Sequence, residues 1–191
     1  TMAMEAGEQL KEYGCERPTH IFVQAGVGSL AGAVVGYYSN LYADNPPTFV
    51  VVEAEAAACL YKGAAAGDGD IRIVDGDMET IMAGLACGEP NTISWDILKN
   101  HVKVFIAAPD WVAANGMRML GAPIKGDAPV TSGESGAAPF GALAAVMTMD
   151  EYKDLRNDIG LDASSKVLLF STEGDTDPDR YKNIVWKGLD K

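Results

Sequence analysis

The chain has 191 residues, 48% of them hydrophobic and 22% charged, and a net charge of −12. That length suffices for one sizeable domain or two small ones. The acidic balance argues against nucleic acid and anionic membranes as partners, because phosphate backbones require basic surface, and no apolar run approaches the ~18 residues of a membrane span. The first element is a helix over residues 2–13 with Gly14 as its stop. It carries Glu5, Glu8 and Glu12 and lacks the apolar core of a signal peptide. The chain opens at the edge of this helix with no leading loop, as a fragment would.

A strand is predicted over 21–24, then a glycine turn, then a helix over 29–42. The turn cluster Asp44-Asn45-Pro46-Pro47 follows. Residues 48–53 form a continuous apolar, β-branched run and read as a parallel strand buried on both faces. An alanine-rich helix is expected over 54–66, a short strand over 71–74, and helices over 79–86 and 94–100. Residues 102–107 are the third strong strand. Asp110 is placed to cap a helix reaching 120. A loop rich in glycine, proline and serine spans 121–136. Helices follow over 137–147 and 150–159, the second capped by Asp150, and the last strong strand runs over 166–171. The tail is a turn at 175–179 and a segment over 181–189. Strands alternate with helices, which defines an α/β fold with a mainly parallel, twisted sheet flanked by helices.

Four features carry chemistry. The first is Gly26-x-Gly28-x-x-x-Gly32 between a strand and a helix. Free N–H groups and the helix dipole make such a turn a phosphate cradle; the alternative is a purely structural turn. The second is Glu53, an acid ending the next strand, where a dinucleotide fold holds a ribose hydroxyl. NAD binding is therefore the rival reading, although the spacing is longer than usual and the third glycine is displaced. The third is the turn Ser171-Thr172-Glu173-Gly174-Asp175-Thr176-Asp177 after the last strand. It would set the Ser171 hydroxyl in the crevice beyond the strand ends, able to meet a ring nitrogen; the alternative is a capped acidic turn. The fourth is Glu134 within Gly133-Glu134-Ser135-Gly136-Ala137, either buried near a ligand or exposed in a loop. Cys15, Cys59 and Cys87 are odd in number and widely spaced, which points to reduced thiols in a cytoplasmic protein. His20 and His101 read as structural.

In chain order, residues 1–5, the glycine turn, Val52-Glu53, residues 79–86, residues 133–137 and the turn at 171–177 resemble the C-terminal half of fold-type II pyridoxal-phosphate enzymes. That family includes the threonine and serine dehydratases and the tryptophan synthase β-subunit. Within it, Thr19 to Ser29 and Ser171 to Asp177 are most similar to the diaminopropionate ammonia-lyases. The resemblance implies that residues 1–191 are mostly the large, cofactor-binding domain. It implies elimination of ammonia from 2,3-diaminopropionate, with the released aminoacrylate hydrolysing to pyruvate and a second ammonia, in a cytoplasmic homodimer. It places the phosphate of pyridoxal 5'-phosphate on the N–H groups of Gly26, Val27, Gly28 and Ser29, the pyridine nitrogen on Ser171, and Glu134, more loosely, beside substrate or ring. The family's Schiff-base lysine would precede Thr1, and none of the lysines from Lys11 to Lys191 has its context. Some relatives hold a divalent ion with acids matching Glu53 and Cys59; a thiol at the second position suits hard cations poorly, so no metal site is expected.

Overall fold

The computed structural model of the protein describes residues 2–189. Thr1, which opens the series of motifs above, and Lys191, the last of the lysines, lie outside these. Four parallel strands form one sheet in the order β3-β2-β1-β4, with β1 His20–Gln24, β2 Thr48–Ala54, β3 Val102–Ala108 and β4 Val167–Leu169. Around it stand α1 Met2–Glu12, α2 Ser29–Leu41, α3 Cys59–Ala66, α4 Thr92–His101, α5 Asp110–Gly121, α6 Glu134–Thr148, α7 Lys153–Asp158 and α8 Pro178–Val185. The strong apolar runs are the strands, and the α/β architecture is the one expected.

All of β1 and all of β2 except Thr48 are buried, because parallel strands carry helices on both faces. Alternate side chains feed two cores. Phe22, Val50 and Val52 pack with Val112, Met117 and Ala138 of α5 and α6. Ile21, Val23 and Val51 pack with Val34, Leu60 and Leu98 of α2, α3 and α4. Helices α5 and α6 approach through glycine: a Cβ on Gly141 would stand 1.9 Å from the Val112 carbonyl oxygen. His20 is buried and structural; its Nδ1 meets Thr19 Oγ1 at 2.8 Å and its Nε2 meets the Ile159 carbonyl at 2.8 Å. The three cysteines are free thiols, and burial pushes Cys59 up to about 12. No helix among the described residues is long and apolar enough to cross a membrane.

Several expected elements differ. Residues 71–74 form no strand: Ile71 and Ile73 are exposed, and the segment is tied instead by Val74 N–H donating to the Gly88 carbonyl at 2.9 Å. Residues 79–86 are irregular apart from a 3-10 turn at Ala83–Leu85. The reason is Asp110, whose carboxylate accepts from Thr80 Oγ1 at 2.5 Å and from Ile81 N–H at 3.3 Å. Asp110 is therefore not a cap but the first residue of α5, with Pro109 ahead of it as N-cap. Asp150 likewise makes no cap: a 3-10 turn, Asp150–Tyr152, precedes α7. The helix expected over 54–66 divides into a 3-10 turn, Glu55–Ala57, and α3. Strand β4 stops at Leu169, and residues 133–136, read as the end of a loop, belong to the N-cap and first turn of α6.

Candidate cofactor site

Strands β1 and β4 are neighbours, and both the glycine turn and the Ser171 turn leave the same carboxyl end of the sheet. The Ala25 N–H donates to the Val52 carbonyl at 2.9 Å, which prolongs the ladder into the turn. Gly26 then passes close under residues 84–87: a Cβ there would lie 3.2 Å from the Gly84 carbonyl oxygen and 3.4 Å from Cys87 Cβ. Gly28 sits at φ +95° as the N-cap of α2, a conformation that L side chains resist. The Val27 carbonyl accepts from Asn91 N–H at 2.8 Å, which fixes the turn from outside. Ser29 opens the helix and is exposed.

The start of α2 is chemically open. No side chain caps it. The neighbouring helices are closed: Glu53 accepts from Leu60 and Tyr61 N–H at 2.9 and 2.6 Å at the start of α3, and Glu173 accepts from Ser135 and Gly136 N–H at 2.5 and 3.1 Å at the start of α6. Asn91 does the same for α4, accepting from Ser94 N–H at 2.9 Å. Helix N-termini carry partial positive charge and orphan donors, and α2 alone of these four has no side-chain acceptor for them among the described residues. A positive-φ glycine with an uncapped helix start fits a phosphate group.

Ser171 is exposed, and its Oγ stands 2.9 Å from Ser132 Oγ, fully buried behind it. Glu134 is not in a loop. It is half-buried on the first turn of α6 and pairs with Arg180 Nε at 3.4 Å. Glu53, weighed above as a ribose-binding acid, is 1% exposed and has both oxygens engaged in closing α3. Three participants receive no role from the sequence: Gln24, Ser132 and Glu173, each defined by a partner far away in the chain. A large, mainly apolar groove of about 630 Å³ runs along the open edge of β3 past Tyr61, Phe105 and Tyr152. It holds none of the residues of the two turns.

Burial of Glu53 pushes its carboxyl up to about 7, against the opposing pull of the α3 amides. A carboxyl raised in the folded state binds its proton more tightly there than in the unfolded chain. Its contribution to stability is therefore full below the ordinary value of 4.5 and is lost as pH rises through about 7. The difference in unfolding free energy between wild type and Glu53→Gln is expected to fall by on the order of 3 kcal/mol between pH 4.5 and 8. Parallel pH profiles in denaturant titrations would contradict this.

A parallel sheet of this order, with an uncapped glycine turn beside a hydroxyl-bearing turn at its carboxyl end, is an α/β domain whose geometry fits a phosphate-bearing ligand. The chain belongs to the family of pyridoxal-phosphate dependent enzymes, whose model matches residues 1–168. It is 53% identical over 189 residues to diaminopropionate ammonia-lyase of Salmonella typhimurium, a match covering 98% of this chain and 47% of that protein. It superimposes with a TM-score of 0.90, at 45% identity, on the crystal structure of diaminopropionate ammonia-lyase from Escherichia coli in complex with an aminoacrylate-PLP azomethine reaction intermediate, covering 100% of this chain and 47% of that one. Maize serine racemase shares the fold at 21% identity and a TM-score of 0.70. The chain spans about half the length of the curated relatives it matches.

Proposed function

We propose that the chain is the C-terminal, cofactor-holding part of a pyridoxal-phosphate lyase that eliminates ammonia from 2,3-diaminopropionate, giving pyruvate and ammonia. The observation that carries this reading is the uncapped α2 start next to the Ser171 turn at one end of the sheet. The N–H groups of Gly26, Val27, Gly28 and Ser29 bind the phosphate, helped by the α2 dipole. Ser171 meets the pyridine nitrogen with a neutral hydroxyl, which does not enforce a protonated ring. When bound, the cofactor supplies an electron-withdrawing ring that stabilises charge at the substrate's α-carbon. Glu134 is the candidate carboxylate on the substrate side. The Schiff-base lysine and the acids acting on the substrate belong to a part of the enzyme outside this chain, and the working protein is a cytoplasmic homodimer completed by that part.

Pyridoxal phosphate is expected to raise the chain's melting temperature, whereas NAD is not. Protection by NAD and not by pyridoxal phosphate would favour the dinucleotide reading, against which the burial and engagement of Glu53 weigh. With pyridoxal phosphate and 2,3-diaminopropionate the chain alone is expected to form no pyruvate; measurable pyruvate would show that the lysine lies within it.

A further inference from the structure

We propose that Gln24 is a positioning residue that sets the Ser171 hydroxyl for the ring nitrogen, an inference resting on the cofactor reading above. The paired ladder between β1 and β4 ends at Phe22 and Leu169. Beyond it the Gln24 side chain takes over the tie. Its Nε2 donates to the Phe170 carbonyl at 2.9 Å and to Thr172 Oγ1 at 2.8 Å, one residue before and one residue after Ser171. A carbonyl only accepts, so the NH₂ end of the amide must face Phe170. Its Oε1 is then left buried without a partner among the described residues.

That arrangement is costly for stability. Gln24 is 2% exposed at the end of the apolar run Ile21-Phe22-Val23, where a methionine would fill the same space without an unsatisfied oxygen. The only segment fixed by its two hydrogen bonds is the one bearing Ser171. Ser132 Oγ stands 2.9 Å from Ser171 Oγ on the other side; with Ser132 as the donor of that pair, the Ser171 oxygen stays fixed while its own proton is free for the ring nitrogen. Gln24 touches neither phosphate loop amides nor substrate in this role; it acts through Ser171.

The test measures affinities of the full 191-residue chain for two probes, pyridoxal phosphate and inorganic phosphate. Inorganic phosphate engages the glycine turn alone. Gln24→Met is expected to weaken pyridoxal phosphate roughly tenfold while leaving inorganic phosphate unchanged. Ser171→Ala should do the same, and the double variant should lose no more than Ser171→Ala, because both act on one contact. Thr172→Val removes one of the two acceptors from an exposed position and should lose affinity in the same selective way, which decides the matter if Gln24→Met does not fold. Equal weakening of both probes, additive losses, or unchanged pyridoxal phosphate affinity in Gln24→Met or Thr172→Val would overturn the role of Gln24. A wild-type chain that binds pyridoxal phosphate no better than inorganic phosphate would overturn the ring contact itself, and the proposal with it.

Discussion

Gly28→Val is expected to lower affinity for pyridoxal phosphate at least tenfold and to lower stability as well. Gly28 holds φ +95° as the N-cap of α2, whose first amides no side chain caps. An L side chain held there costs roughly 1–2 kcal/mol, and a β-branched one more. A Cβ would also stand 3.1 Å from Leu98 Cδ1 and 3.3 Å from Leu60 Cδ1, within a packed core. The turn relieves this only by rotating out of the left-handed region, which on the proposed reading turns its amides away from the cofactor phosphate. Each 1.4 kcal/mol so lost is a factor of ten in binding. Titration of the variant with pyridoxal phosphate checks this; wild-type affinity would show that the turn does not hold the phosphate.

The largest loss of stability is expected far from that turn, in Gly141→Ala. The added carbon would sit 1.9 Å from the Val112 carbonyl oxygen and 2.8 Å from its carbon, atoms of the α5 backbone that no rotamer change can move. Gly116 faces α6 in the same way, 2.3 Å from the Ala137 carbonyl oxygen. Helices α5 and α6 would have to separate, with Val112 and Ala138 leaving their shared core. Overpacking of this kind costs on the order of 3 kcal/mol, about 6–12 °C in melting temperature for a chain of this size. Gly7→Ala is the control: its Cβ would meet only Tyr38 Oη at 3.8 Å, and the gain in helix propensity is expected to leave stability unchanged or up to about 1 kcal/mol higher. Thermal melts of the two variants should therefore diverge, and similar melting points would contradict the packing described.

What could be read from the sequence follows from what is local. Strands β1 and β2 are apolar runs buried on both faces, and β3 is an apolar run half-buried at the sheet edge, so composition announces all three. The glycine turn is equally local: a strand, two glycines and a helix within a dozen residues. The failures are long-range. Residues 79–86 have helical composition, but Asp110 captures Thr80 and Ile81 from across the fold. Asp110 looks like a cap because it stands at a helix start, but its carboxylate is taken by Thr80 and Ile81, partners that no local pattern reveals. Glu53 lies one residue before the end of β2, and its carboxylate closes α3, an engagement that no local pattern announces and that weighs against the ribose-binding role its position suggests. Gln24 ends a strand and gives no signal of its own, because its acceptors come from residues 170 and 172. Glu173 was legible as part of an acidic turn, while its use as the stopper of α6 depends on a helix in another part of the chain.

The glycine turn as a phosphate cradle is tested most directly by the backbone amides themselves. The chain, at 20.2 kDa, is small enough for residue-specific ¹H–¹⁵N spectra during titration with pyridoxal phosphate. The amides of Gly26, Val27, Gly28 and Ser29 are expected to shift downfield together, saturating along one curve, with Ser171 moving in the same titration and Ser135 and Gly136, already bound to Glu173, staying in place. Saturable binding that leaves residues 26–29 unmoved would contradict the cradle.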